Sequence, residues 1–332
     1  MKRKIRGALW VATGLICFML FMPIQASSEV FPEDGRVIRF ICPNPPGGGM
    51  DLYPRTLMPF LKKHLPWKKG DVVVDNVIGA GGVTGSREIY FSKPDGYTVV
   101  VGYGSGNDLV APHFQKMPYD VFNDLIPVCR LSVHSIVMII RGDAPYKTLK
   151  EFIDWGKKKD QVTASVSARA GSVDIAFQAV AKTTGLKLVT IPFRGGAESV
   201  TAIVGGQTDC GGNHPSEIIS HIKAKRLIPI AVALENRDPA VPDVPTFKEL
   251  GYNVVAVGSV KGVAAPKGTS PEVVRYLEER FKKVCDDPEF IKSMKDIGQP
   301  VMYQTSQEFT KFMKDGFAQY GQMIKEFNIK LE

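Results

Sequence analysis

Residues 40–65, FICPNPPGGGMDLYPRTLMPFLKKHL, contain a run of two prolines and three glycines, PPGGG, shortly before an acidic residue and an amphipathic helix. A tight turn needs fewer glycines, so this loop leaves backbone amides unshielded beside the start of the predicted helix 51–64. The first turn of a helix carries N–H groups without helical partners and the positive end of the helix dipole, and both attract carboxylates and phosphates. Asp51 suits the N-cap position, and Pro54 suits the first turn. The alternative is an ordinary strand-to-helix turn that binds nothing.

Three further loops of small residues follow predicted strands. Their sequences are GAGG at 79–82, GYGSGN at 102–107 and AGS at 170–172. In the last of them, Ser172 is placed to cap the helix predicted over 172–184. Since α/β sheets bind ligands beyond the carboxyl ends of their strands, four such loops together indicate one shared anion site.

Patterns that would indicate catalysis or a bound cofactor are missing from the sequence. The segment GAGGVTG at 79–85 lacks the G-x-G-x-x-G spacing of a dinucleotide site, and no acidic residue follows at the expected distance. Neither CxxC nor HExxH occurs, and the histidines are not paired at a metal-ligand spacing. Ser105 lacks the G-x-S-x-G pattern, and S-x-x-K at 220–223 is short enough to arise by chance. We therefore predict a protein without enzymatic activity, cofactor or metal.

Strand and helix patterns alternate along most of the chain, and helical patterns at 272–284 and 287–328 complete it. Repeated βαβ units predict an α/β architecture with largely parallel sheets. The helical tail predicts that the chain returns to its first domain, which makes two lobes with a ligand cleft between them. We expect a first lobe of residues 27–130 and 254–332 and a second lobe of residues 131–253.

The first 26 residues have the layout of a secretory signal peptide. The basic segment MKRKIR precedes an apolar core, and the small residue Ala26 ends the region before the polar SSEVFPEDGR. A retained membrane anchor is the alternative, because the apolar run approaches spanning length. Cleavage removes four basic residues and lowers the formal net charge from +8 to +4, which gives little support for nucleic-acid binding. We expect a soluble, monomeric protein in the periplasm.

The mature chain is too poor in cysteine for a disulfide scaffold. Of 332 residues, 44% are hydrophobic and 23% are charged, which is an ordinary globular composition. Four cysteines remain after cleavage, Cys42, Cys129, Cys210 and Cys285, and an exported protein permits disulfides between them. Cys42 and Cys129 lie in apolar strand-like stretches, which predicts small core residues.

Seven segments, in the same order along the chain, resemble those of a known family. They are NPPGGGMD at 44–51, NVIGAGGVTG at 76–85, KPDGYTVVVG at 93–102, MPYDVFNDLIPV at 117–128, IPFRGGAESVTAIVGGQTD at 191–209, RDPAVPDVPTFKELGY at 237–252 and GVAAPKGTSPEVV at 262–274. Through them the chain resembles the extracytoplasmic solute receptors of tripartite tricarboxylate transporters, also called Bug receptors. One such segment would be weak support, whereas seven in order are specific.

This resemblance implies a type II-like periplasmic binding protein fold, with two α/β lobes joined by two crossings and a ligand cleft between them. It also implies that a small carboxylate is bound there, largely by main-chain amides and bridging waters. In the first lobe, the ligand-binding residues that it implies are Pro46, Gly47, Gly48, Met50, Asp51, Gly81, Gly104, Ser105 and Asn107. In the second lobe they are Ser167, Ala170, Gly171, Ser172, Arg194 and Asn213.

Two positions depart from the family pattern. The stretch 167–172 has fewer glycines than is usual, and its Arg169 projects either into the cleft or, as we expect, into solvent. Asn213 stands where many members carry an acidic residue. An amide both donates and accepts hydrogen bonds, so it favours a ligand amino group less than a carboxylate would. We therefore expect a di- or tricarboxylate, or another amine-free acid, rather than an acidic amino acid.

The loops and the resemblance indicate the same mechanism. A carboxylate engages both lobes and shifts the hinge towards a closed form, which then docks on the permease subunits of a transporter in the membrane. A ligand sensor for a membrane signalling partner is one alternative. An exported hydrolase is the other, and it would need a nucleophile–base pair that the sequence does not show.

Overall fold

The computed structural model describes residues 31–330, and the predicted signal peptide lies outside them. Two β-sheets, each covered by helices, make up the described part of the chain. No helix within residues 31–330 combines the length and the apolar character needed to cross a bilayer.

The first sheet has six strands. They are β1 (Val37–Cys42), β2 (Asp71–Asn76), β3 (Thr98–Tyr103), β4 (Leu125–His134), β10 (Ser259–Pro266) and β11 (Gln304–Thr305). Their order across the sheet is β11-β4-β10-β3-β1-β2. The helices that belong to this sheet are α1 (Gly49–Lys63), α2 (Val83–Tyr90), α3 (Gly106–Leu109), α8 (Pro271–Cys285), α9 (Pro288–Asp296) and α10 (Ser306–Glu326).

The second sheet has five strands. They are β5 (Val137–Arg141), β6 (Val162–Val166), β7 (Leu188–Pro192), β8 (Cys210–Asn213) and β9 (Leu227–Val232), in the order β7-β6-β8-β5-β9. Its helices are α4 (Leu149–Gly156), α5 (Ser172–Thr184), α6 (Gly196–Val204) and α7 (Pro215–Lys223). Below, the first lobe means residues 31–134 and 259–330, and the second lobe means residues 137–232.

Both sheets are mixed, so the prediction of largely parallel sheets is wrong. β1 pairs in parallel with β2 and β3, and β6 with β7 and β8, as βαβ units require. By contrast, β10 is antiparallel to β3 and β4, and β5 is antiparallel to β8 and β9. The reason is that the chain enters β5 and β10 from the other lobe. These two strands therefore begin at the interface where their neighbours β8 and β3 end.

The position of α1 is set by an apolar cluster between this helix, α8, α9 and the first sheet. Phe40 meets Phe281 with ring centroids 5.9 Å apart, and Tyr53 meets Phe290 at 6.2 Å. All four side chains are fully buried, and burial of each contributes roughly 1.5–3 kcal/mol. The start of α1 is thus held rigidly at the interface between the lobes.

The four cysteines of the described chain are buried free thiols. Cys129 belongs to the cluster beneath α1, and Cys42 has no exposed surface, so the prediction that both are small core residues is confirmed. Cys42 also has a local role. Its thiol donates to the carbonyl of Met50 at 3.6 Å, and this carbonyl lies one helical turn before Pro54, which has no N–H to offer it.

Candidate functional site

Loops from both lobes meet at the carboxyl ends of the strands. A Cβ atom placed on Gly106 would lie 2.8 Å from the Cα of Gly171, so the first-lobe and second-lobe backbones are in contact there. A Cβ atom on Gly195 would lie 3.6 Å from the ring of Pro45. The N–H of Gly49 donates across the interface to Glu217 at 3.4 Å. The two lobes are therefore closed on each other around the small-residue loops.

Three of these loops have the same backbone geometry. Each contains a residue in the left-handed region followed by an extended residue that caps a helix. The left-handed residues are Gly47 (φ 84°), Gly104 (φ 92°) and Ala170 (φ 54°). The extended N-cap residues are Gly48 (φ −82°, ψ 168°), Ser105 (φ −78°, ψ −170°) and Gly171 (φ −86°, ψ 168°). The helices α1, α3 and α5 thus begin in one and the same way.

An aspartate in the first turn of each helix holds this geometry. Asp51 accepts the N–H of Gly47 at 2.9 Å. Asp108 accepts that of Gly104 at 2.8 Å, and Asp174 accepts that of Ala170 at 2.8 Å. Each carboxylate therefore binds the amide four residues before it, at the left-handed residue. In the sequence, each of these loops has a small residue and, four residues later, an aspartate. The motifs described above did not include this repeat.

The amides beyond these aspartates remain open. Within residues 31–330, the N–H groups of Gly106, Asn107, Gly171 and Ser172 have no hydrogen-bond acceptor. At α1 the N–H of Gly48 is likewise without an acceptor among the described residues. These donors lie at helix starts, where the helix dipole is positive, and they line the contact between the lobes.

The structure corrects two predicted caps. Gly48, not Asp51, is the N-cap residue of α1, because the left-handed Gly47 turns the chain early and the helix begins at Gly49. Gly171, not Ser172, is the N-cap residue of α5, and Ser172 is the first helical residue. The predicted span of α5, residues 172–184, is confirmed.

Several predicted site residues use their side chains to hold the loops of the first lobe. Asp51 also accepts from Arg55 at 2.9 Å and from Asn76 at 2.8 Å. The Ser105 hydroxyl donates to the carbonyl of Val260 at 3.0 Å, and the Asn107 amide donates to Ser86 at 2.8 Å.

The remaining first-lobe residues of the prediction contribute backbone and shape. The sulfur of Met50 lies against Gly102, 2.7 Å from where a Cβ atom would stand, and Met50 is buried. Gly81 has φ 65°, and a Cβ atom there would meet nothing within 4 Å. Pro46 and Gly47 are exposed at the rim.

In the second lobe, the side chain of Asn213 is buried and already engaged. Its oxygen accepts from Ser199 at 3.2 Å, and its nitrogen donates to the Gly196 carbonyl and to Glu217, both at 3.0 Å. Arg194 is exposed, and its backbone N–H donates to Glu198 at 3.1 Å. Ser167 is half-buried, and Arg169 is exposed.

Glu217, which no sequence motif indicated, lies between the lobes at the start of α1. It accepts from His214 N at 3.1 Å and from Asn213, in addition to Gly49 in the other lobe. Burial raises the pKa of this carboxyl, but His214, Asn213 and Lys261 outweigh it, and the pKa is below its ordinary value. Glu217 is therefore a carboxylate that the protein itself places against an amide of the interface.

Asp108 and Asp51, in two of the repeated loops, have opposite pKa shifts. Burial raises the pKa of Asp108 to about 7, and hydrogen bonds from Gly104 N and Tyr119 offset this only in part. Burial also acts to raise the pKa of Asp51, but hydrogen bonds from Arg55, Gly47 N and Asn76 outweigh it, so the pKa of that carboxyl is lowered. Asp108 is thus the carboxylate of the site whose charge changes near neutral pH.

Comparison with known proteins agrees with this architecture. Residues 57–329 match the family described as TctC, tripartite tricarboxylate transporter family receptor. The "UPF0065 protein in gbd 5'region" of Cupriavidus necator is 30% identical over 292 residues, which cover 88% of this chain and 86% of that protein.

Two solved structures have the same fold. The periplasmic binding protein BugD superposes with a TM-score of 0.82 at 26% identity, covering 90% of this chain and 100% of that one. MatC from Rhodopseudomonas palustris, with bound malate, superposes with a TM-score of 0.78 at 22% identity, covering 87% and 99%. The predicted resemblance and the two-lobed α/β fold are confirmed, and the chain belongs to the TctC family of tripartite tricarboxylate transporter receptors.

Proposed function

We propose that this protein binds a small carboxylate between its lobes in the periplasm and delivers it to the permease subunits of a tripartite tricarboxylate transporter. The observation that carries the proposal is the set of open amides at the interface, with Gly48 at the start of α1 and Gly171 and Ser172 at the start of α5. Amides at the starts of long helices are suited to the oxygens of a carboxylate.

The two lobes contribute to the same site, so binding is coupled to closure. A carboxylate that accepts hydrogen bonds from both lobes binds the closed form more tightly than the open form, and it shifts the population towards closure by that difference in affinity. The contact between Gly106 and Gly171 marks where the closed lobes meet. The closed form would be the one that the permease recognises.

We further propose that the ligand lacks an amino group. Asn213 stands where the family resemblance implies an acidic residue, and both polar atoms of its side chain have partners within the second lobe. The Glu217 carboxylate is occupied by three N–H donors. Neither residue offers an ammonium group an open acceptor. MatC, which has the same fold, holds malate, an acid without an amino group.

Catalysis has less support than binding. The Ser105 hydroxyl donates to a main-chain carbonyl, and Ser220 and Lys223 of the S-x-x-K pattern are exposed on α7. A hydrolase would need a hydroxyl activated by a neighbouring base.

Titration calorimetry on refolded protein, residues 27–332, tests the proposal with succinate, malate, citrate, benzoate, aspartate and glutamate. Refolding removes any acid that copurifies. Binding of one carboxylate class at micromolar concentration, with compaction in small-angle scattering, would support the receptor function. Tighter binding of aspartate or glutamate than of every amine-free acid would overturn the ligand preference. No binding of any acid to folded protein would overturn the proposal.

A further inference from the structure

A lysine is buried at the inner end of the interface, which here means the end beside the two crossings between the lobes, residues 135–136 and 233–258. Lys261 on β10 is 1% exposed, and its ammonium donates to Ser259 at 2.8 Å. Among residues 31–330 it has no carboxylate oxygen within 4 Å. Burying a charge without a partner is costly, and lysines are seldom fully buried unless they are paired. A structural role alone leaves two of its three N–H donors unexplained.

The neighbours of Lys261 place it beneath the start of α1. Its side chain lies on the face of β10 that carries Val263 of the cluster beneath α1, and its partner Ser259 pairs with His134 on β4. Its charge also acts to lower the pKa values of four neighbours, Cys42, His134, His214 and Glu217. The Cys42 thiol in turn contacts the carbonyls of Asn44 and Met50, in the loop that leads into α1. The ammonium therefore lies on the side of the first sheet that α1 covers, beside the end of β4, where the chain crosses to the second lobe.

Other buried polar atoms around this position also have no partner in the described chain. Both ring nitrogens of His134 and the hydroxyl of Ser135 are among them. His134 is fully buried, 6.1 Å from the ring of His214. Unsatisfied buried groups of this kind occur where a protein holds water or a ligand. Donors and acceptors without partners thus lie close to one buried cation at the inner end of the interface.

The Glu217 carboxylate does not neutralise this cation directly. Its oxygens face Gly49 N, Asn213 and His214 N. Burial lowers the pKa of Lys261 to about 8, with Glu217 and Cys42 acting in the opposite direction, so most of the ammonium persists at pH 7.

We propose that Lys261 binds the second anionic group of the ligand and so makes this receptor selective for dicarboxylates. One carboxylate occupies the amides at the helix starts, and the other reaches the ammonium at the inner end, with His134 and Ser135 bound through water. This inference rests on the proposed function and names its substrate class.

Lys261→Met tests the proposal, because methionine is an unbranched side chain only one heavy atom shorter than lysine and carries no charge. Succinate and malate are compared with succinamate, in which an amide replaces one carboxylate, by calorimetry at pH 7. We expect the variant to bind succinate or malate about 10- to 100-fold more weakly and succinamate within about threefold of wild type. Lys267→Met is the matched control, since Lys267 is exposed at the end of the same strand and pairs with Asp124.

Equal weakening of succinate and succinamate, or no weakening of either, would overturn the selectivity role and leave the receptor function standing. Wild-type binding of succinamate as tightly as of succinate would do the same. If wild type binds no acid at all, the proposed function itself fails.

A measurement on wild type keeps the proposal testable if Lys261→Met does not fold. Between pH 7 and pH 9 the ammonium loses its proton. The pKa of Cys42 is raised to about 11, and those of Glu217, His134 and His214 are lowered, so these neighbours do not titrate in that range. Asp108 gains charge over the lower part of this range and weakens both acids alike, so the quantity to compare is the ratio of succinate affinity to succinamate affinity, which should fall about tenfold. A parallel fall for both ligands would contradict the role of Lys261.

Discussion

Helices that begin at the interface differ from those that begin elsewhere. Away from the interface, a side chain accepts a first-turn amide, and the capping residues are Thr148 of α4, Ser270 of α8, Asp287 of α9 and Thr305 of α10. At the interface, four helices have no side-chain cap, and their N-cap residues are Gly48 of α1, Ser105 of α3, Gly171 of α5 and Gly195 of α6. The exception there is α7, whose first turn is closed by a capping box of His214 and Glu217.

The first-turn amides of a helix can be satisfied by a capping side chain or left open for a ligand. A side-chain cap satisfies them within the fold and stabilises a helix by about 1 kcal/mol. At the interface, the aspartate or glutamate of the first turn instead binds the loop amide four residues back, as Asp51, Asp174 and Glu198 do. That arrangement fixes the loop and leaves the amides of the helix start for another oxygen. The uncapped helices thus give up some stability and keep donors for a ligand.

Gly48→Asp should give α1 a side-chain cap like those of the helices away from the interface. We expect it to reduce ligand affinity more than any other substitution. The backbone of Gly48 suits an N-cap residue, and a Cβ atom there would meet nothing closer than 3.9 Å. The new carboxylate occupies the amides of α1 and repels an anion, so affinity for the tightest acid should fall about a thousandfold. Calorimetry measures the loss, and Gly48→Asn separates the charge from the occupied amides. Thr148→Ala on α4 should cost about 1 kcal/mol of unfolding free energy with binding unchanged. Retained affinity in Gly48→Asp would contradict the role of these amides.

Asp108→Asn sharpens the comparison among the aspartates. The folded-state pKa of Asp108, about 7, lies above that of the unfolded chain, so its contribution to stability is full below about pH 4 and is lost as the pH rises through 7. Asparagine does not titrate and has one acceptor oxygen, so the variant is less stable at pH 5. We expect the difference in unfolding free energy to narrow by about 2–3 kcal/mol between pH 5 and pH 8, as measured by urea denaturation. A difference that is constant with pH would show that Asp108 does not titrate there.

Gly106→Ala should obstruct closure without disturbing either lobe. The added Cβ atom would lie 2.8 Å from Gly171 Cα and from Ser172 N, while the φ of Gly106 suits alanine. Ligand affinity should fall about tenfold, and small-angle scattering should show less compaction on binding. Gly48→Ala is the matched control, because a Cβ atom has room there. If Gly106→Ala closes and binds like wild type, the contact with Gly171 does not limit closure.

Ala170→Gly has the smallest expected effect. Ala170 holds a left-handed φ of 54° in the position that glycine occupies in the two equivalent loops of the first lobe. Glycine removes the steric cost, so unfolding free energy should rise by about 0.5–1 kcal/mol in urea denaturation. Ala80→Gly, at φ 45° in a loop without the repeated aspartate, shows whether the gain in unfolding free energy depends on that aspartate. A loss of stability at Ala170 would show that this loop is not strained.

Local patterns were enough to predict the elements and loops but not how the side chains are used. The span of α5 followed from its apolar periodicity, and the small-residue loops followed from glycines at strand ends. The sheet order was not predictable to the same degree, because β5 and β10 enter their sheets from the opposite lobe. Asp51 looked like an N-cap residue in one dimension, whereas the left-handed Gly47 moves the helix start to Gly49.

The sequence alone therefore determined the family, the two-lobed fold and the supply of small residues beside helix starts, since these depend on motifs and short-range propensities. Only the tertiary structure decided that Glu217 reaches Gly49 of the other lobe and that Lys261 is buried beneath α1. The physical reason is that these side chains acquire their environment from distant segments. Solvation and charge depend on what packs around a group, and in this protein that packing is completed only when the two lobes meet.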